Sequence, residues 1–188
     1  MVAGGGGNKA VFLDRDGVIV VPKFRDGRSF APHRLDEYRF YPDAARSLSR
    51  LKDAGYLLIV VTNQPDVGKG LISARTLNAM HRRLREELPI EQVKVCAHRQ
   101  DENCACRKPA PKLLLDAANE FNIDLAQSFM VGDRGTDVEA GRAAGCRTVF
   151  IDLGYSESKP KNATFTVNSI GEAADAVLGA TRDWRSVS

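Results

Sequence analysis

The sequence predicts an α/β fold in which a doubly wound, Rossmann-like and mostly parallel sheet carries helices on both faces. Short apolar runs, which predict buried strands, alternate along the chain with amphipathic segments, which predict helices. Three of the predicted strands end in polar side chains, and in a sheet of this kind the carboxyl ends of the strands surround the site. We therefore expect one domain with its functional groups along one edge of the sheet.

The first half of the chain contributes two strands and two helices to this prediction. In order, the elements are a strand (10–13), a loop (18–42), a helix (43–53), a strand (56–61), a loop (64–72) and a helix (73–88). Both strands are short and continuously apolar, as in a sheet covered on both faces. Both helices carry apolar residues three and four positions apart. The first loop contains prolines and a glycine without any clear period, and loops of that length are usually functional.

The second half continues the alternation. In order, the elements are a strand (93–96), a Cys/His loop (97–110), a helix (111–121), a strand (129–132), a helix (136–144), two strands (147–153 and 164–167) and a last helix (169–178). Pro111 opens the first of these helices, and Gly145 ends the second. No internal repeat interrupts the order, which again favours a parallel sheet.

Length and composition indicate a single domain. At 188 residues with 43% hydrophobic side chains the chain can build a proper core. We expect this domain to span residues 9–180, between a flexible glycine-rich tail at 1–8 and a frayed tail at 181–188. The N-terminus lacks the regions of a signal peptide, and no apolar run approaches the roughly 20 residues of a membrane span. We therefore expect no membrane association.

Charge and cysteine content narrow the functional classes. A net charge of +3 is too small to argue for nucleic-acid binding, although it suits a small anionic substrate. Three of the four cysteines have the spacing of metal ligands, which favours a reducing compartment over disulfides. We accordingly expect a cytoplasmic protein.

The polar residues that follow the strands form the first functional pattern. Asp14 and Asp16 follow the first strand, Thr62 and Asn63 follow the second, and Asp133 follows the fourth, with Asp137 four positions later. Carboxylates that meet at one edge require a hard cation, and Mg²⁺ is the usual partner of phosphate substrates. The residue pair Arg107 and Lys108 would add positive charge. This combination of groups is suited to phosphoryl transfer.

The second pattern is Cys96-x-His98-x₅-Cys104-x-Cys106. Three thiolates and an imidazole at this spacing predict a tetrahedral structural Zn²⁺ site with no position open for water. Buried thiols or a redox pair are the alternatives. Because Arg107 and Lys108 follow directly, we expect the zinc to position two functional cations rather than to take part in the chemistry.

Four motifs in order resemble those of the haloacid dehalogenase (HAD) superfamily of aspartate-nucleophile phosphatases. They are Asp14-x-Asp16-Gly17, Thr62-Asn63, Lys108-Pro109 and Gly132-Asp133-x-x-x-Asp137. The resemblance implies that Asp14 is the nucleophile that forms an aspartyl-phosphate and that Asp16 is the general acid and then the base. It also implies that Thr62, Asn63 and Lys108 hold the phosphoryl group. Asp14, the Asp16 backbone carbonyl and Asp133 would bind Mg²⁺, with Asp137 in or near that set of ligands.

Within the superfamily, the zinc loop and Cys106-Arg-Lys-Pro109 resemble one subgroup without a cap domain. It contains the D-glycero-D-manno-heptose 1,7-bisphosphate 7-phosphatases and the histidinol-phosphate phosphatases. Thr62-Asn63-Gln64 followed by Val67-Gly68-Lys69-Gly70 resembles the heptose enzymes. The short x₅ spacing and the run Gly132-Asp-Arg-x-Thr-Asp137 are more similar to the histidinol enzymes. The basic residues Arg107, Lys69 and Arg134 favour a sugar bisphosphate, which carries a second phosphate, so they are the predicted substrate-binding residues.

Two other classes remain as alternatives. A signalling module that keeps its phospho-Asp, such as a receiver domain, needs neither an acid at Asp16 nor a zinc loop. A polynucleotide 3′-phosphatase would need a basic, aromatic-lined groove, whereas only 7% of the residues are aromatic. We expect a small phosphorylated molecule as the substrate and no nucleic acid as a partner. Without a cap, the chain needs no second copy to close its site, so we expect a monomer.

Overall fold

A central parallel sheet organises the protein. The computed structural model describes residues 7–185 and the side chains of residues 7–181. In chain order the strands are β1 (Ala10–Leu13), β2 (Lys23–Arg25), β3 (Arg28–Phe30), β4 (Leu57–Asn63), β5 (Gln92–Cys96), β6 (Phe129–Gly132), β7 (Arg147–Ile151) and β8 (Phe165–Val167). The helices are α1 (Ala44–Asp53), α2 (Pro65–Gly68), α3 (Ala74–Glu87), α4 (Lys112–Phe121), α5 (Gly135–Ala144) and α6 (Ile170–Arg185).

Six strands lie in the order β5-β4-β1-β6-β7-β8, and each neighbouring pair is parallel. The strand order reverses at β1, which therefore lies at the centre with β4 on one side and β6 on the other. The predicted α/β, doubly wound fold is confirmed. Ligands of such sheets bind outside the carboxyl ends of the strands next to this reversal.

Helices cover both faces of the sheet, and the alternation along β1 shows how. Val11 and Leu13 lie in one core cluster, which also receives apolar residues of α1, α3 and α6. Ala10 and Phe12 lie in a second cluster on the opposite face, with residues of α4 and α5. All four β1 side chains are fully buried, which explains why the strand is continuously apolar rather than alternating.

The segment 18–42 is more ordered than predicted. Instead of a plain loop, it contains the antiparallel hairpin β2–β3, in which Lys23 pairs with Phe30 and Arg25 with Arg28. The turn residues Asp26 and Gly27 have φ values of 51° and 72°, as a two-residue hairpin turn requires. The dipeptide Asp26-Gly27 is the sequence signal for this turn.

The chain ends also differ in part from the prediction. Asn8, placed in the flexible tail, forms a parallel bridge with Ile123. Helix α6 continues to Arg185, beyond the predicted end at residue 178. The remaining parts of the two predicted tails, residues 1–6 and 186–188, lie outside the described residues. Within the described part of the chain, no helix has both the length and the apolar character that crossing a membrane requires.

Candidate active site

At the carboxyl ends of β1, β4 and β6, Lys108 from the loop after β5 meets two of the predicted acids, Asp14 and Asp137. Lys108 Nζ donates to Asp14 Oδ1 at 2.7 Å and to the Val61 carbonyl at 2.7 Å, and it lies 2.6 Å from Asp137 Oδ1. Lys108 is only 3% exposed and Asp14 only 8%. Burial opposes the lysine charge, but Asp137 and Asp14 outweigh it and raise the pKa of Lys108 above its usual range. The lysine is therefore a fixed cation beside the predicted nucleophile.

Asp133 completes an acidic cluster that the lysine alone does not neutralise. Oxygen atoms of Asp14, Asp133 and Asp137 all lie within 4.8 Å of one another. Burial, followed by the charges of Asp14 and Asp137, raises the pKa of Asp133 well above its usual range. Burial likewise raises the pKa of Asp137 to about 6, although Lys108 opposes this shift. Three carboxylates against one ammonium leave two negative charges uncompensated.

These residues fit a hard divalent cation. The donors are all oxygen atoms, and one divalent cation would balance the two uncompensated negative charges. Asp133 Oδ1 is buried and has no hydrogen-bond partner among the described residues. Its other oxygen, Oδ2, accepts a hydrogen bond of 2.6 Å from the Tyr155 hydroxyl. The carboxylate is thus oriented from one side and free on the other, as is usual for a metal ligand.

Gly17 allows the turn after β1 to pass close to this cluster. Its φ is +91°, a value that side chains disfavour. A Cβ atom at this position would lie 2.0 Å from Asp133 Oδ2. The glycine of the first motif is therefore required both by the backbone and by the close approach of an acidic side chain.

Asp16 does not join the acidic cluster in this structure. Its carboxylate accepts hydrogen bonds from Arg15, with Nη2 at 2.7 Å from Oδ2, and from Gln64 Nε2, also at 2.7 Å. In a continuous strand, Arg15 would point to the opposite face from Asp16. The chain leaves strand geometry after Leu13, however, so the two side chains form an ion pair.

The two polar residues at the end of β4 occupy different positions. Thr62 is 1% exposed, and its Oγ1 accepts from Gln64 Nε2 at 3.0 Å. Asn63 forms a reciprocal pair with the Lys108 backbone: Nδ2 donates to the carbonyl and Oδ1 accepts from the N–H, both at 3.1 Å. Asn63 thus orients the backbone of the lysine. A contact of either residue with a phosphoryl group stays a prediction.

The three predicted substrate-binding cations lie in different surroundings. Arg107 has a buried Nη1 without a hydrogen-bond partner in the described part of the protein. Lys69 is exposed, lies 3.4 Å from Asp66, and borders an open groove of about 430 Å³ with Arg99 and Asp101. Arg107 Nη1 thus lacks a partner but lies below the surface, whereas Lys69 is at the surface and paired with Asp66.

Arg134 is engaged elsewhere. Its guanidinium pairs with Glu157 at 2.6 Å, donates to Ser29 Oγ at 2.7 Å and lies over the Tyr155 ring. Ser29 belongs to β3, and Gly27 in the hairpin turn accepts from Ser156 N at 3.2 Å. Arg134 therefore fastens the hairpin to the loop after β7. Binding of a substrate by Arg134 would require it to give up these contacts.

The Cys/His loop forms the second predicted cluster. The distances are 3.5 Å from Cys96 Sγ to Cys104 Sγ, 3.7 Å from Cys104 Sγ to Cys106 Sγ, and 3.2 Å from Cys106 Sγ to His98 Nδ1. A tetrahedron with Zn–S bonds of about 2.3 Å has edges of about 3.8 Å. All four ligand atoms lie within 4.8 Å of one another. The group fits a tetrahedral zinc ion, and Cys96 anchors it at the end of β5.

Sequence reasoning did not assign three residues that the structure places around the site. Gln64 links Asp16 to Thr62, Tyr155 donates to Asp133, and His81 contacts Arg15 Nη1 through Nε2 at 3.2 Å. Gln64 directly follows a recognised motif, so its position was a usable signal. Tyr155 and His81 reach the site only through the tertiary fold. His81 is only 7% exposed.

Comparison with known proteins identifies the family of this chain. Residues 105–173 match the family described as HAD-hyrolase-like. A D-glycero-beta-D-manno-heptose-1,7-bisphosphate 7-phosphatase of Helicobacter pylori is 37% identical over 140 residues, which cover 71% of this chain and 78% of that protein. The chain belongs to the HAD superfamily of phosphatases. A relative of the same name from Yersinia pestis is 34% identical, with 93% of this chain and 92% of that protein covered.

A solved structure is also similar to this HAD phosphatase over nearly its whole length. The crystal structure of D,D-heptose 1,7-bisphosphate phosphatase from Bordetella bronchiseptica, complexed with magnesium and phosphate, has a TM-score of 0.78 and 28% sequence identity. The match covers 92% of this chain and 99% of that one. The predicted HAD-like fold is therefore confirmed.

Proposed function

We propose that this HAD phosphatase removes the 7-phosphate of D-glycero-D-manno-heptose 1,7-bisphosphate, with the β anomer as its substrate. The observation that carries the proposal is the buried contact of Lys108 with Asp14 inside a cluster of three carboxylates. The names of the relatives support the sugar and the anomer. The relative solved with magnesium and phosphate supports the chemistry.

In the first step, an Asp14 oxygen attacks phosphorus, and the bond from phosphorus to the sugar oxygen breaks. Asp16 gives its proton to that oxygen as it leaves, so the sugar departs as an alcohol rather than an alkoxide. The ammonium of Lys108 lies 2.7 Å from Asp14, and it stabilises charge on the transferring group. The product of this step is an aspartyl-phosphate on Asp14.

In the second step, water attacks phosphorus and the bond to the Asp14 oxygen breaks. Asp16, now a carboxylate, takes the proton from the water. Inorganic phosphate leaves, and both aspartates return to their starting states. The same pair of acids therefore serves both half-reactions.

Two metal ions complete the proposal. Mg²⁺, held by Asp14, Asp133 and the Asp16 carbonyl with Asp137 nearby, would neutralise charge on the phosphoryl oxygens. Zn²⁺, held by the Cys/His cluster, would be structural. The reducing conditions that this thiol cluster needs favour a cytoplasmic location.

The second phosphate of the substrate would bind outside the buried cluster. Lys69 borders the open groove beside the zinc loop, and Arg107 has a buried guanidinium nitrogen without a protein partner in the described structure, which the side chain would have to turn outward. Both cations would meet a phosphate, and histidinol phosphate carries an amine in place of that group. We propose that the enzyme acts as a monomer on this small molecule and needs no nucleic acid.

The decisive experiment is a phosphate-release assay with Mg²⁺. It compares kcat/KM for both anomers of heptose 1,7-bisphosphate with kcat/KM for histidinol phosphate. A preference of about a hundredfold for the heptose, or about 2.7 kcal/mol of transition-state discrimination, is the expected result. The reverse preference would overturn the substrate. Absence of turnover on all phosphate esters, in protein that binds Mg²⁺, would overturn the reaction.

A further inference from the structure

Gln64 is a buried side chain at the site to which the mechanism above gives no role. It directly follows β4 and is 2% exposed. Its backbone N–H donates to the Cys96 carbonyl at 2.7 Å, which fixes the backbone against the start of the zinc loop. Its Nε2 donates to Asp16 Oδ2 at 2.7 Å and to Thr62 Oγ1 at 3.0 Å. Because Asp16 Oδ2 already accepts from Arg15 Nη2, it is an acceptor and the amide nitrogen must face it.

Arg15 and Gln64 both donate hydrogen bonds to the Asp16 side chain. Arg15 is completely buried, and its Nε and Nη2 atoms both contact the Asp16 carboxylate. The guanidinium is itself held by His81 Nε2 at 3.2 Å and lies over the Tyr38 ring. Arg15 therefore provides a rigid contact. Gln64 is the group that connects this ion pair to the rest of the site.

We propose that Gln64 is a positioning residue for the general acid. Its single amide group donates both to Asp16 and to Thr62, and so it sets the proton donor at a fixed place relative to the residue predicted to hold the phosphoryl group. Without Gln64, the remaining contacts of the Asp16 side chain are those to Arg15. The proposal rests on the proposed role of Asp16 in phosphoryl transfer.

If Gln64 positions Asp16, the effect of removing Gln64 should depend on the leaving group of the substrate. When the bond from phosphorus to a sugar oxygen breaks, the alkoxide needs the proton of Asp16. When the leaving group is p-nitrophenolate, the ring and nitro group carry the charge, and the proton contributes little. Loss of a positioning residue should therefore slow the alkyl phosphate much more than the aryl phosphate. Loss of packing alone would slow both equally.

The experiment measures kcat/KM of Gln64→Leu on an alkyl phosphate that the enzyme turns over and on p-nitrophenyl phosphate. General acid catalysis contributes about 10²–10⁴-fold, so we expect a loss of about 10–100-fold on the alkyl phosphate and under about threefold on the aryl phosphate. Gln64→Met, which also lacks the donor but has an unbranched chain, serves if Gln64→Leu does not fold. The control is Gln127→Leu, an exposed glutamine before β6, which should leave both values unchanged.

Equal losses on the two substrates, or no loss on either, would overturn the role of Gln64. Asp16→Asn separates this result from a failure of the proposed mechanism. If Asp16→Asn slows the alkyl phosphate selectively and the Gln64 variants do not, the inference about Gln64 alone is wrong. If Asp16→Asn itself shows no selectivity, the assignment of Asp16 as the general acid is wrong.

Discussion

The histidine behind the active site should make the protein lose stability as the pH falls. His81 is 7% exposed, and Arg15 Nη1 lies 3.2 Å from its Nε2. Because Arg15 can only donate, Nε2 must be unprotonated in the folded state. Burial, followed by the charges of Arg15 and Arg85, lowers the pKa of His81 to about 3. Protonation would bury a second cation next to a first.

The direction and size of the effect follow from the two pKa values. The unfolded chain binds this proton near the ordinary value of 6.5, whereas the folded protein resists it to about 3. Stability is therefore fully present above pH 6.5 and is lost as the pH falls from there towards 3. By linkage, the free energy of unfolding should fall by about 2 kcal/mol between about pH 7.5 and about pH 5 from this group alone.

Urea denaturation at these two pH values tests the reasoning. His81→Gln keeps an acceptor for Arg15 but cannot titrate, so its loss of stability on acidification should be smaller than that of the wild type by about 2 kcal/mol. Protonation of the Cys/His cluster affects both proteins equally and cancels in the difference. His33→Gln, at a histidine whose side chain is 39% exposed, is the matched control. An equal loss in His81→Gln and in the wild type would refute the argument.

Three further results are expected. Asp14→Asn should abolish turnover in a protein that still melts cooperatively, and appreciable phosphate release would exclude Asp14 as the nucleophile. Tyr155→Phe removes the donor to Asp133 and should weaken Mg²⁺ binding by about 10–100-fold, as titration calorimetry would detect. Cys104→Ser should lower zinc content and activity together, because the loop that carries Lys108 loses its anchor. Full activity in zinc-free protein would show that zinc is not needed to position Lys108.

The strands and helices that can be predicted from the spacing of apolar residues are those whose apolar side chains are all buried in the core. Strand β1 is apolar throughout because both faces are buried, and α3 shows its apolar residues at the spacing of a helix. The carboxyl ends of the strands could be located from polar residues that end apolar runs. Because β4, β1 and β6 are neighbours in the sheet, the acids that follow β1 and β6 are buried close to Lys108.

What the sequence did not reveal depends on contacts between distant segments. Tyr155 reaches Asp133 from the loop after β7, and His81 reaches Arg15 from α3. The sequence predicts Arg134 as a substrate-binding cation, but its guanidinium contacts Glu157, Ser29 and the ring of Tyr155. No spacing rule relates these positions, because a folded loop decides which partner each one meets.

The geometry of Lys108 has a consequence for how tightly the enzyme holds its product. An ammonium has three N–H bonds, and here they point to Asp14, Asp137 and the Val61 carbonyl. An arriving phosphate oxygen must therefore replace one of these partners rather than add to them. The free-energy gain is the difference between two strong hydrogen bonds, which is smaller than either bond alone. In the proposed mechanism, Lys108 would thus assist the transfer of the phosphoryl group while adding little to the retention of inorganic phosphate.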